Sequence, residues 1–228
     1  SRVASQKQAA RNERRDATYD FGTNPCSEII LRPYQFCNLS EVVIRPTDTL
    51  ANLKRKVRIA SILGTLQATL TDFRYLRNIW KTNTEEEALL GVSLTGIMDH
   101  PILSGREDKA KLKKWLTEMR NEAIVTNEQW AKKLGINPSV AITAVKPSGT
   151  VSQLVDSASG IHPRYSSQYI RRVRADSRDP LCNVLEAAGV PVEDDLMSPS
   201  TKVFSFPIAS PDGAVTASEM GAMEQLDL

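Results

Sequence analysis

The chain has 228 residues, 41% of them apolar and 25% charged, the ordinary balance of a soluble protein with one large or two small domains. A net charge of +2 makes no field that would demand nucleic acid or a membrane surface as partner. No run of eighteen apolar residues predicts a membrane span, and the basic start lacks the apolar core of a secretory signal. Three cysteines argue against a disulfide scaffold and for a reducing, cytoplasmic location. Residue 1 is Ser rather than Met, and the chain ends in the uncapped amphipathic stretch "ASEMGAMEQLDL". It therefore reads as a segment of something larger, incomplete at both ends.

Residues 1–15 are polar and helix-compatible. "EIILRPYQFCNLSEVVIRP" reads as extended, interrupted at Pro33 and Tyr34 and stopped at Pro46. Apolar residues at three- and four-residue steps predict a helix over residues 48–78, with Asp48 as N-cap. The run Glu85–Glu87 suits the first turn of a further helix. Leu112, Trp115, Leu116, Met119, Ala123, Thr126, Trp130 and Leu134 form the stripe of a strong amphipathic helix that Gly135 would cap. "SVAITAVKP" reads as a short strand and "SGTVSQLVDSASG" turns directly into a helix. "DPLCNVLEAAGV" is a helix ended by Gly189, and "STKVFSFPIA" is a strand. Long helices between apolar strands predict an α/β fold. The arginine-rich stretch "HPRYSSQYIRRVRADSR" reads first as a solvated basic face, with a phosphate entrance or nucleic-acid contact as minor readings.

The chemistry concentrates in "TNPCSEI". Asn24, Cys26 and Glu28 stand at alternate positions, which on an extended segment would aim an amide, a thiol and a carboxylate the same way. A carboxylate beside a thiol raises the thiol's pKa. That is wrong for a thiolate nucleophile and suits a thiol that stays protonated and gives up a hydrogen atom. Glu28 would then serve as base toward a substrate hydroxyl, and Cys37 as a second, redox-type thiol. Plain burial of cysteine as a small apolar residue is the competing reading, and the expected one for Cys182. A Cys26–Cys37 disulfide stays open. Neither His100 nor His162 has ligand spacing to the cysteines, so no metal set is expected. Further along, "KPSGTVSQ" joins a strand to a helix through Ser148, Gly149, Thr150, Val151 and Ser152. The amides of such a helix start favour an anion, although a plain capped helix start would look the same.

"NPCSEI" followed by "FCNLSEVV", with "TAVKPSGTVSQLVDSASGIHP" about 110 residues later, resembles ribonucleotide reductase, the family that makes deoxyribonucleotides. The resemblance covers nearly the whole chain. It implies part of a ten-stranded α/β barrel with a central finger loop, about residues 22–40, and a phosphate-binding strand–helix turn, about residues 146–153. It also implies roles: a thiyl radical at Cys26 that takes the 3′ hydrogen of the ribose, Glu28 as acceptor of the 3′-hydroxyl proton, Asn24 as holder of the ribose hydroxyls, and Cys37 as half of a redox pair. The segment matching Ser148–Ser152 would hold the substrate phosphates. The implied partners are a ribonucleotide, a thioredoxin-type reductant and the remaining parts of the reductase or a complementary chain; neither membrane nor nucleic acid is expected. The wording of "NPCSEI" and the short interval from Cys26 to Cys37 look most like the class that uses adenosylcobalamin, with the class that uses a metal-radical subunit as the alternative. The partner of Cys37 in the implied redox pair would lie upstream of this chain. A non-catalytic phosphate-binding or assembly fragment of a split reductase is therefore the rival function.

Overall fold

The computed structural model describes residues 2–12 and 14–228. A polar helix, α1 (Arg2–Ala9), leads into a turn region that carries Arg15 inward, and then into a short antiparallel hairpin of β1 (Gly22–Thr23) and β2 (Ile30–Leu31). Strand β3 (Asn38–Val43) follows, and helix α2 (Leu50–Gln67) begins one residue later than the sequence suggests. Its cap is Thr49, whose side chain accepts from Asn52 N at 3.3 Å. Asp48 instead accepts from the amide of Arg45 and from Lys56 Nζ.

The single helix expected over residues 48–78 is two. After α2 the chain makes turns and re-enters a helix as α3 (Asn78–Glu87). Glu85–Glu87 therefore end a helix, where the dipole disfavours acids. Tertiary pairing decides the matter. Arg15 Nε and Nη2 donate to the two Glu87 oxygens at 3.0 and 2.8 Å, with both side chains buried. Gln35 Nε2 donates to Glu87, and Arg32 pairs with Glu86.

Strand β4 (Leu90–Thr95) lies parallel to β3, from Asn38 opposite Leu90 to Val43 opposite Thr95. A 3₁₀ turn (Ile97–Asp99) leads toward α4 (Lys109–Leu134), capped by Asp108 at its start and by Gly135, φ +70°, at its end. The chain then returns along the free edge of β4. Leu90 and Val92 donate to the carbonyls of Ala141 and Ile142, and Ala144 donates to Val92. The "SVAITAVKP" segment is thus a third parallel extended run, with helices as crossovers, as an α/β fold requires. One sheet face packs on α2 and α4 through Val42, Ile44, Leu90 and Val92 against Leu53, Val57, Met119 and Ala123. Within α4, the buried Asn127 donates to Thr65 and Ser139 and accepts from the Ser139 amide, satisfying a polar group inside the core.

Beyond a short helix, α5 (Thr150–Leu154), the chain builds an antiparallel sheet in the order β5–β7–β6. It comprises β5 (Gln168–Asp176), β6 (Val192–Asp194) and β7 (Thr201–Ala209), with α6 (Pro180–Ala187) after β5 and α7 (Ala222–Leu226) near the end. The arginine-rich run contains strand β5, which periodicity did not reveal, and most of its arginines are solvated as expected, several of them matched by acids. Arg172 pairs with Glu193, Arg174 with Asp195 and Arg178 with Asp176. Arg164 is buried in a two-pronged pair with Asp99, at 2.8 and 2.9 Å, and also holds Asp156. Among the described residues, no helix is long and apolar enough to cross a membrane.

Candidate functional site

The second face of the parallel sheet carries the site. Along β3 the alternate residues Leu39 and Glu41 point away from the helices. A Cβ built on Gly91 of β4 would lie 2.5 Å from Leu39 Cδ2 and 3.0 Å from Ile29 Cδ1. Glycine is needed there because the β1–β2 hairpin lies over this face, with Ile29 pressed against the strand.

The hairpin changes the geometry expected for "TNPCSEI". Residues 24–29 are not extended. The Ser27 amide donates to Asn24 O, and Ser27 takes φ +61°. Asn24 Oδ1 accepts from the Ile29 amide at 3.0 Å, closing the tip on itself. The carboxamide oxygen thus builds the turn, and the Nδ2 donors are what Asn24 can offer a ligand. Cys26 stands exposed at the tip. The shared aim expected from alternate positions does not arise, because the backbone reverses between these residues.

Glu28 turns the other way. Its side chain is 1% exposed, and Lys146 Nζ lies 3.5 Å from Oε1. Neither carboxylate oxygen accepts a hydrogen bond from any described residue. Burying a charge in this way is costly without a counter-charge, so Lys146 belongs to the site. The thiol that feels Glu28 is Cys37, half-buried at the entry to β3. Burial, and after it the Glu28 carboxylate, push the Cys37 thiol above its ordinary range, while Lys146 opposes the rise. Cys37 therefore stays a protonated thiol at neutral pH. All three cysteines are unbridged; Cys182 is buried in α6, with Sγ donating to Asp176 O at 3.2 Å.

The turn after Lys146 lies beside the same face. Ser148 Oγ donates to Glu41 Oε2 at 2.8 Å, and Ser152 Oγ donates to the carbonyls of Ser148 and Gly149. Both serines are buried. Two of the hydroxyls expected as phosphate donors are thus engaged within the protein. Gly149, Thr150 and Val151 are exposed at the start of α5, where first-turn amides lack intrahelical partners. Sequence reasoning singled out neither Lys146 nor Glu41.

No protein-family model matches the chain. It is 30% identical over 210 residues to an adenosylcobalamin-dependent ribonucleoside-triphosphate reductase of Lactobacillus acidophilus, covering 82% of this chain and 28% of that one. It is 31% identical over 212 residues to the enzyme of the same name from Lactobacillus helveticus, with the same coverage. The Levilactobacillus brevis enzyme of that name is 30% identical over 231 residues, covering 90% of this chain and 30% of its own. The fold superposes on a crystal structure of a B12-dependent (class II) ribonucleotide reductase with a TM-score of 0.72 at 27% identity, covering 90% of this chain and 32% of that one.

In sequence and in fold, the chain is homologous to a segment of ribonucleotide reductases. Within them it is most like the adenosylcobalamin-dependent class, and it spans about three tenths of the length of the curated relatives it matches.

Proposed function

We propose that this chain is the thiyl-radical segment of an adenosylcobalamin-dependent ribonucleotide reductase, which reduces ribonucleotides to deoxyribonucleotides and so provides DNA precursors. The observation that carries the reading is the hairpin of residues 22–31. It exposes the Cys26 thiol at its tip and buries, two residues on, a Glu28 carboxylate with no hydrogen-bond donor among the described residues. A buried base with open lone pairs is what a ribose hydroxyl needs. The names of the relatives support a ribonucleoside triphosphate as the substrate form.

In this reading residues 22–40 are the finger loop of a ten-stranded barrel, of which β3, β4 and the 140–144 run form one part. A Cys26 thiyl takes the 3′ hydrogen as an atom, and Glu28 accepts the proton of the 3′ hydroxyl. The 2′ hydroxyl takes a proton from the Cys37 thiol pair and leaves as water, and the Cys26 S–H finally returns its hydrogen atom to C3′, restoring the thiyl. Cys37 and a second thiol outside this chain supply two electrons and end as a disulfide, which a thioredoxin-type protein reduces again. Asn24 donates through Nδ2 to a ribose hydroxyl. The amides of residues 149–152, with Thr150, receive phosphate, while Ser148 and Ser152 shape the turn from behind.

The exposure of Cys26 fits a radical delivered from outside the hairpin. Among the described residues no three His, Cys, Asp or Glu side chains are placed to hold a metal ion. When bound, adenosylcobalamin supplies a radical by homolysis of its cobalt–carbon bond; Cys26 is the residue it must reach. The test uses the complete enzyme with adenosylcobalamin. Cys26→Ser should abolish hydrogen exchange at the 3′ position, since an alcohol O–H bond is far stronger than a thiol S–H bond. Retained exchange would sink the assignment, and activity only with a separate metal-radical subunit would overturn the cofactor. A chain that binds nucleotide but adds no radical chemistry to a competent assembly would instead be the non-catalytic fragment.

A further inference from the structure

Lys146 has no part in the reaction as set out above, yet its ammonium approaches a carboxylate that no other described residue satisfies. Its distance to Glu28 Oε1, 3.5 Å, is close for a charge pair and too long for a strong hydrogen bond. The contact balances charge while leaving the lone pairs of Glu28 open to an incoming hydroxyl. The backbone of Lys146 is held in place. Gly160, at φ +54°, packs so tightly that a Cβ there would lie 2.9 Å from Lys146 O, and Pro147 follows at once. With a side chain 30% exposed, the ammonium keeps contact with water while its partner is buried. Arginine in this place could present a fork of donors to the carboxylate and occupy both oxygens.

We propose that Lys146 is a positioning residue for the Glu28–Cys37 pair. Its ammonium is the counter-charge that lets the Glu28 carboxylate sit buried beside the Cys37 thiol without a hydrogen-bond donor of its own. The assignment rests on the reductase reading for its purpose, and on the geometry alone for its physics. The charged groups that act on Cys37 are Glu28, from the hairpin, and Lys146, from the segment after the third extended run; they act in opposite directions.

The experiment reads Cys37 directly. The 228-residue chain is alkylated with iodoacetamide over about pH 6 to 10, and modification of each cysteine is followed by mass spectrometry of its peptide. Lys146→Met should slow the alkylation of Cys37 about tenfold at neutral pH, the effect of a shift of about one unit on loss of a nearby opposite charge. Lys146→Arg should restore the wild-type profile, and Glu28→Gln should speed the reaction. An unchanged Cys37 profile in a folded Lys146→Met chain overturns the proposal, as does Lys146→Arg behaving like Lys146→Met. If Lys146→Met does not fold, the pair Glu28→Gln/Lys146→Met must fold, because no buried charge is left to balance; failure of that double variant overturns the proposal too. Alkylation requires no turnover. A chain that behaves as expected here but supports no 3′ exchange in the complete enzyme would refute the reductase reading and leave the role of Lys146 standing.

Discussion

Ser148 Oγ donates a 2.8 Å hydrogen bond to Glu41 Oε2, tying the turn after Lys146 to the strand after Cys37 across 107 residues of chain. The other Glu41 oxygen, Oε1, is buried and has no hydrogen-bond partner among the described residues. Ser148→Ala should therefore leave a largely buried carboxylate with neither oxygen satisfied. The expected loss is about 1–3 kcal/mol, read from the urea unfolding midpoint at unchanged slope. A midpoint equal to that of wild type would mean that water takes the place of the hydroxyl and that the turn is not held through Glu41.

The Arg15–Glu87 pair, with side chains 4% and 2% exposed, should matter more. Glu87→Ala removes the partner of Arg15 and of the Gln35 amide, and the carboxylate 3.7 Å from Arg32 Nε. Breaking a buried pair from one side costs about 3–5 kcal/mol. Chemical denaturation of the variant should show a loss of that order, and a change no larger than that of an exposed pair would refute the role given to this cluster.

The three thiols should separate by reactivity. Cys26 is exposed, Cys37 half-buried and Cys182 only 2% exposed. Burial first, and then Asp179, Glu186 and Asp176, push the Cys182 thiol up, and Cys37 is pushed up as well. Since the thiolate is the reactive form, alkylation at neutral pH should run Cys26, then Cys37, then Cys182. The rates at Cys37 and Cys182 should climb as pH rises toward their raised values. Equal rates at Cys182 and Cys26 in the folded chain would contradict the burial that the structure assigns to α6.

In the complete enzyme Glu28→Gln and Cys37→Ser should fail in different ways. Glu28→Gln removes a base and no phosphate contact, so turnover should fall about a hundredfold or more with nucleotide binding nearly intact. Cys37→Ser should still permit 3′ exchange yet fail to complete reduction at the 2′ carbon, because the two-electron donor is broken. Exchange of 3′-labelled nucleotide, followed beside the deoxynucleotide yield, separates the two. Full multiple-turnover yield from Cys37→Ser with a thioredoxin-type reductant would remove Cys37 from the mechanism.

Much of this protein can be read from local order along the chain. The stripe Leu112–Met119–Ala123, ended by Gly135, predicts α4 because helix periodicity and a left-handed cap are properties of neighbouring residues. The words around Cys26, Cys37 and Ser148 point to the reductases, and sequence and fold comparisons bear this out. The aim of each side chain could not be read in the same way. Whether 24–29 is a strand or a hairpin tip depends on Asn24 bonding to Ile29 and on Gly91 letting the hairpin settle on the sheet. The place of Glu85–Glu87 at a helix end depends on Arg15 and Arg32. Arg172 and Arg174 of β5 turned out paired because their acids, Glu193 and Asp195, arrive on or beside a strand about twenty residues later. Glu28 and Lys146, 118 positions apart by their numbers, become one electrostatic unit only when the third extended run has returned beside β4. Local sequence determines periodicity, caps and the chemistry on offer; which charges meet, and which are buried, is decided by long-range closure of the chain, where the desolvation of each group selects its partner.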